Sequence, residues 1–187
     1  MVERLLLNVR VDPGWLYLGG EFENTRAHLD DKGTPIGTDD VNTLEVLWAY
    51  LGIRSKNVFL ERDRVDLSAG RITLDVGSRR LVARNQFRNT INGFTGVQGI
   101  WVNSQGAIVQ AFYTFPINCE PEESQKLLRN SNEPDDESFE TRFWGVHVSD
   151  KESWTSLHAE IYVFGLHEND RPGVVTRNRN LYRPARA

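Results

Sequence analysis

The chain has 187 residues, of which 39% are hydrophobic and 26% are charged, and its formal net charge is −4. This length suits one domain with a sizeable core. Its mean hydropathy is negative, and no apolar run approaches the roughly 20 residues of a membrane-spanning helix, which excludes a helical membrane protein. A membrane β-barrel stays open, because its alternating strands leave a weak hydropathy signal.

The basic residues are strongly biased, with 18 Arg against 4 Lys. Arginine meets carboxylates with two parallel hydrogen bonds, so the bias fits recognition of anions, although a GC-rich genome would also produce it. The one cysteine, Cys119, allows no intrachain disulfide and has no neighbouring His to support catalysis. The start MVERLLLNVRV lacks a signal peptide. The protein is therefore either cytosolic, or this chain begins inside a longer precursor.

Apolar and polar residues alternate along most of the chain, and this pattern predicts β-strands with one wet face. The predicted strands are 2–11, 15–27, 41–53, 65–72, 94–102, 107–117, 139–149 and 155–166. A helix is the competing interpretation for 41–53, since LEVLWAYLG also has a helical stripe. After residue 166 the polar, arginine-rich sequence indicates another long loop.

Residues 75–93 interrupt this pattern with a basic segment. Between Arg71 and Arg88 there are five arginines and one acid, Asp75. The arginines either pair with acids from other loops or act directly on an anionic ligand. Nucleic-acid binding is not expected, since the chain is acidic overall and carries no known nucleic-acid-binding module.

Residues 118–138 form a second unusual segment, rich in Asp and Glu. It is predicted to be a solvent-exposed acidic loop with a helical turn at 124–130. The four histidines show no metal-ligand spacing, and no G-x-S-x-G elbow occurs. No catalytic residue, metal or cofactor is therefore expected.

Seven or eight strands at hairpin spacing predict an all-β fold, an antiparallel up-and-down meander over the single domain 1–187. Short connections alternate with long ones, as in outer-membrane barrels. Soluble β-sandwiches can show the same alternation.

Four features in the middle of the chain carry a family resemblance. They are Gly70-Arg71, the arginines from Arg79 to Arg88, the strand Phe94–Val97, and the run from Ala111 to Pro116. This succession resembles the alginate-export family of bacterial outer-membrane porins. The stretches GTDDVNTLEVLWAYLG, FWGVHVSD and IYVFGLHEND also fit the family's order, so the resemblance covers most of the chain. Ile72 departs from it, because the family usually has Gln there.

The resemblance implies part of a transmembrane β-barrel in the outer membrane of a Gram-negative bacterium. A wide aqueous channel takes on the order of 16 to 18 strands, so the chain is expected to be a fragment of a longer barrel. The implied function is passage of an anionic, alginate-like polysaccharide, without enzymatic activity. Implied partners are this uronate polymer, outer-membrane lipid and possible periplasmic export proteins.

In this interpretation residues 77–93 fold into the lumen, and fixed positive charge lines the path of the polymer. The predicted substrate-path residues are Arg71, Arg79, Arg80, Arg84, Asn85, Arg88 and Asn89. Arg10 and Glu45 are weaker candidates from the polar faces of their strands. Lipid-facing residues would include Tyr113, Phe115 and Trp144.

The alternative hypothesis is a soluble β-sandwich or barrel that binds carbohydrate or hydrolyses it. Two pairs of carboxylates could then be catalytic, Glu21 with Glu23 or Glu45 with Glu160. The two hypotheses differ in where the apolar faces point. The face with Val109, Tyr113 and Phe115 surrounds a core in the soluble protein and points outward in the channel.

Overall fold

A computed structural model of the chain describes residues 1–28, 33–84, 87–150, 159–169 and 179–186. These residues form ten strands and one short helix. The elements are β1 (Val2–Val11), β2 (Leu16–Ala27), β3 (Asn42–Lys56), β4 (Arg64–Ile72), β5 (Phe94–Val102), β6 (Ile108–Asn118), α1 (Ser124–Leu128), β7 (Asp136–Glu137), β8 (Thr141–Asp150), β9 (Ala159–Glu168) and β10 (Asn180–Arg186).

The strands form one antiparallel sheet in the order β1-β2-β3-β4-β5-β6-β8-β9-β10, and the short β7 pairs with β6. This confirms the predicted all-β, up-and-down meander. The sheet is not closed into a barrel: β1 and β10 are its two edges within the part of the chain that the structure describes.

Two strands, the two-residue β7 and the longer β10, were not predicted from the sequence. The structure also decides between strand and helix for residues 41–53. β10 lies in the region expected to be a loop, where it pairs with β9 over seven residues. Residues 41–53 form a strand rather than a helix, because β3 has β2 and β4 as neighbours on both sides.

The two faces of the sheet differ in chemistry and in what covers them. We call inner the face against which residues 73–93 pack, because Leu74 and Val76 of that segment form a buried cluster with Phe112 and Phe164. The opposite face is the outer face. Buried polar side chains also lie on the inner face, including Glu21, Gln110 and His147.

Two adjacent rows of cross-strand neighbours cross the outer face, and neither contains a charged residue. One row consists of Val11, Leu18, Leu51, Ala69, Val97, Tyr113, Trp144, Gly165 and Tyr182. The other consists of Leu16, Ile53, Leu67, Gly99, Ala111, Val146, Val163 and Pro184. Many of the large side chains are open to the surroundings, as shown by Val97, which is 52% exposed. The apolar face with Tyr113 therefore points outward and does not surround a core.

Aromatic side chains flank these rows at both ends of the strands. At one end Phe115 packs edge-on against Phe139, with ring centroids 4.8 Å apart. At the other end Trp15 and Phe59, in the turns after β1 and β3, are among the most exposed large hydrophobic residues.

The connections at the two ends have different lengths. Residues 12–15, 57–63 and 103–107 form short turns at one end, whereas 28–41, 73–93 and 119–140 connect strands at the other. One turn of the first group is tightly built: the Asp63 carboxylate accepts hydrogen bonds from the backbone N–H groups of Val58, Phe59 and Leu60. This asymmetry is the one-sided loop length seen in the sequence.

The acidic segment 118–138 is only partly solvent-exposed, unlike the prediction. Leu127 of α1 is buried with Ala27 and Val41, and the Asp135 side chain in the same segment is only 5% exposed. A run of acids is therefore an incomplete guide to exposure, because one buried apolar residue can fix the segment on the sheet. No helix among the described residues is long and apolar enough to cross a membrane.

Candidate functional site

The connection between β4 and β5, residues 73–93, lies against the inner face of the sheet and is held there by ion pairs; we call it the arginine segment. Arg84 makes the best-defined contact: its Nη1 and Nη2 atoms donate to Glu21 of β2 at 2.9 and 2.8 Å. The same guanidinium lies over the ring of Trp48, 4.6 Å from its centroid. The Glu21 side chain is only 5% exposed. Arg84 therefore links the segment to β2 of the sheet.

Arg71 is paired with acids from two distant parts of the chain. Its Nη1 atom donates to Glu45 of β3, and its Nη2 atom donates to Asp135 at 3.0 Å. Burial and the nearby Glu45 carboxylate raise the pKa of Asp135 to about 6, although hydrogen bonds from Asn42 and the Glu120 N–H oppose the shift. Arg71 thus offsets part of the negative charge of two largely buried acids.

The other predicted residues are more exposed. Arg79 pairs with Asp75 and Arg88 pairs with Asp39, each at 2.7 Å. Asn89 donates to the carbonyl oxygens of Glu3 and Asp40, which fixes the end of the segment. Arg80 is exposed and makes no ion pair with any described residue. Asn85 lies outside the described residues.

The predicted residues are therefore brought onto one side of the sheet but not into a row of free cations. Two of them, Arg71 and Arg84, hold the structure together through largely buried ion pairs. Both readings of the arginines, pairing with acids and binding an anion, remain compatible with the exposed Arg79, Arg80 and Arg88. Their place in a substrate path stays a prediction.

The sequence pattern did not indicate a second group of inner-face residues, which is aromatic. Tyr17, Trp48 and Tyr50 form a chain of edge-to-face contacts, with ring centroids 6.1 Å apart for Tyr17–Tyr50 and 5.9 Å for Trp48–Tyr50. Around them lies a cavity of about 290 Å³. We call it the Tyr17 pocket; its lining is Arg10, Tyr17, Trp48, Tyr50, Arg54, Arg64, Asp66, Ser68, Ile72, Thr73, Gln98 and Ile100.

Two glycines allow the tyrosine rings to lie close to the sheet. A Cβ atom on Gly52 would lie 2.2 Å from Cζ of Tyr17, and one on Gly19 would lie 2.6 Å from Cζ of Tyr50. Neither approach is possible over a residue with a side chain. The positions of the two rings thus depend on Gly19 and Gly52, which do not indicate a binding site when read in the sequence.

The cations of the Tyr17 pocket outnumber its anions. Arg10 and Arg54 both place their guanidinium groups over the Tyr17 ring, at 5.3 and 5.1 Å from its centroid. Both also pair with Asp12, at 3.0 and 3.1 Å. Burial acts to raise the pKa of Asp12, but hydrogen bonds from Arg54 and Arg10 lower it on balance, so this carboxylate is ionised at neutral pH.

A second carboxylate completes the arrangement. Asp66 lies between Arg54 and Arg64, at 2.7 and 2.6 Å from their Nε atoms. Three guanidinium groups are therefore shared by two carboxylates. Of these residues, only Arg10 could be singled out from the sequence, as a polar-face arginine of β1. The others would have required the register of β2, β3 and β4.

No group of three or more His, Cys, Asp or Glu side chains that could hold a metal ion occurs in the described ranges. Comparison of the chain with protein families, with curated proteins and with solved structures returns no match.

Proposed function

We propose that the chain forms part of the wall of an outer-membrane channel. The outer face lies in lipid, the inner face lines the lumen, and residues 73–93 narrow it. The observation that carries this proposal is the pair of uncharged rows on the outer face, exemplified by Val97 and Leu67, opposite a face of buried polar groups. A soluble sandwich has the reverse arrangement, with the apolar face inside.

Three further features support the proposal. Strands β2, β4, β5, β6, β8 and β9 have 9 to 12 residues, which suits a tilted transmembrane strand of about 9 to 11 residues. Aromatic residues at both strand ends match the girdles of such barrels, and so does the difference in connection length. A closed wall requires further strands between β1 and β10, because an open sheet edge is not tolerated in lipid.

The proposed cargo is an anionic polysaccharide. The arginine bias and the resemblance to the alginate-export porins support this choice. So do the guanidinium groups on the inner side of the sheet, at Arg79, Arg80 and Arg88 and in the Tyr17 pocket. A polymer that carries one carboxylate per sugar needs fixed positive charge along its path, spread over several weak sites.

Two neighbouring residues of β5 test the membrane proposal. Val97 lies on the outer face and Gln98 on the inner face. In the full-length barrel, Val97→Arg should cost about 2–4 kcal/mol and block insertion into vesicles, since a lipid-facing Arg near the midplane is this unfavourable. Gln98→Arg should insert normally. In a water-soluble protein Val97→Arg would change stability by only about 0.5 kcal/mol, so normal folding of both variants in buffer would refute the proposal and favour the soluble carbohydrate-binding alternative.

Ion selectivity tests the cargo. The reversal potential of protein in planar bilayers should indicate anion preference, and Arg80→Gln should lower this preference, because Arg80 is exposed and unpaired among the described residues. An unchanged or cation-selective reversal potential would contradict a polyanion path.

A further inference from the structure

The Tyr17 pocket is built as a receptor for one anionic group. The Tyr17 ring lies over Gly52, and the guanidinium groups of Arg10 and Arg54 lie over that ring. A guanidinium that rests on an aromatic face keeps its N–H groups at its rim, where they can meet an anion in its plane. The ring therefore positions the two cations before any ligand arrives.

The arginines retain donors that the protein does not use. A guanidinium has five N–H donors. Among the described residues Arg10 contacts a carboxylate only through Nη2, and Arg64 only through Nε. About half of each of these two side chains is exposed, at 48% and 49%. The remaining donors are thus open to the cavity or to solvent beside it.

The net charge of the pocket favours a ligand with a single negative charge. The two carboxylates, Asp12 and Asp66, offset two of the three guanidinium groups. The remaining charge of one matches a carboxylate. A dianionic phosphate would instead add an uncompensated negative charge next to two acids.

Other lining groups suit a hydroxyl-bearing ring attached to that carboxylate. The Gln98 amide is partly buried and makes no hydrogen bond with any described residue, so both its donor and its acceptor are available. Ile72 and Ile100 offer apolar surface beside it. Specific sites commonly combine such apolar contacts with a few placed polar groups.

We infer that the Tyr17 pocket is a binding subsite for a single sugar acid, a pyranose-sized ring with one carboxylate. The carboxylate is held by Arg10, Arg54 and Arg64, and a hydroxyl group is held by Gln98. This inference rests on the proposed passage of an anionic saccharide and names the place where one sugar unit binds. The pocket lies toward the short turns, which face the periplasm in outer-membrane barrels, so the subsite belongs to the periplasmic mouth.

The test is calorimetric titration of the folded protein in detergent micelles with tri-D-galacturonate. The matched neutral probe is its trimethyl ester, and a sugar phosphate serves as the dianionic probe. We expect binding of the trimer, with the ester and the phosphate weaker by about tenfold or more, as for loss of a charged hydrogen bond. Arg10→Gln and Arg64→Gln should each weaken binding of the trimer by a similar factor. Arg129→Gln removes an exposed arginine beyond α1 and should leave it unchanged.

Equal affinity for the ester, or full affinity in both the Arg10 and the Arg64 variants, would overturn the inference. Circular dichroism of each variant verifies folding, and the use of two half-exposed arginines keeps the test decisive if one variant does not fold. The outcome is separable from the channel proposal. Normal vesicle insertion of the full-length protein with no binding of the trimer would refute the subsite alone, whereas failure of the full-length protein to insert would refute the channel.

Discussion

The contact between Arg84 and Glu21 gives the sharpest stability prediction. Arg84→Met keeps most of the side-chain volume but leaves the Glu21 carboxylate, 5% exposed, without its two charged hydrogen bonds. Removing one partner of a buried ion pair costs about 3–5 kcal/mol. Arg84 is itself 17% exposed, and water can reach the carboxylate if the segment lifts. We therefore expect Arg84→Met to lower the free energy of unfolding by the low end of this range, about 3 kcal/mol.

The assay is urea unfolding of the protein in micelles, followed by tryptophan fluorescence. Arg79→Met is the matched control: its pair with Asp75 is exposed, with Arg79 at 65%, and should contribute at most about 0.5 kcal/mol. The double variant Glu21→Gln, Arg84→Met should regain much of the loss, with a coupling energy of about 2 kcal/mol. If Arg84→Met lowers the free energy of unfolding by less than about 1 kcal/mol, as Arg79→Met is expected to do, the Arg84–Glu21 pair does not hold the segment against the sheet.

Three other changes should have measurable effects. Burial acts to raise the pKa of Asp63, but hydrogen bonds from Trp101 and from backbone N–H groups lower it on balance, from 3.8 to about 2. The stability that the Asp63 carboxylate gives the folded protein should therefore be lost as the pH falls below 4 toward 2. Asp63→Asn should remove that part of the acid dependence of the urea midpoint. Burial raises the pKa of Asp135 to about 6 and that of Glu23 to about 7. Both carboxyl groups should make the protein less stable as pH rises from 4 to 6, and Asp135→Asn should make this dependence shallower; an identical slope in that variant would disprove the assignment. Gly52→Ala should displace the ring beneath the guanidinium groups and cost about 1–3 kcal/mol, whereas Gly20→Ala, whose Cβ would meet nothing closer than 3.9 Å, should cost less than half as much.

Alternation in the sequence was sufficient to predict most strands and to sort their residues between two faces. In β2 it correctly separates Leu18 and Phe22 from Glu21 and Glu23. A period of two does not say which face is inside, because either can be buried. Here the usual assignment is reversed, with Glu21 and Glu23 buried and the leucine exposed. The family resemblance, rather than the periodicity, indicated that direction.

The arginine segment illustrates the limit of composition. Asp75 is the one acidic residue within it, so the sequence alone offers its arginines a single neighbouring partner. Arg84 and Arg88 of the segment pair with residues 21 and 39, and the preceding Arg71 of β4 pairs with residues 45 and 135. These acids are brought close only by the sheet and the long connections. The Tyr17 pocket was hidden for the same reason. Only the β2–β3 register places Tyr17 opposite Gly52.

Pairing changes what the arginines would do in the proposed channel. A row of free guanidinium groups would bind a polyanion at many points at once, and release would then be slow. Conduction needs sites that attract the polymer but hold each unit weakly. Asp12 and Asp66 provide that balance in the Tyr17 pocket, since their negative charges offset two of the three guanidinium groups that would attract an arriving carboxylate. Replacing either acid with its amide should therefore tighten binding of a uronate trimer while slowing its passage, and ion-paired arginines fit such a path better than free ones.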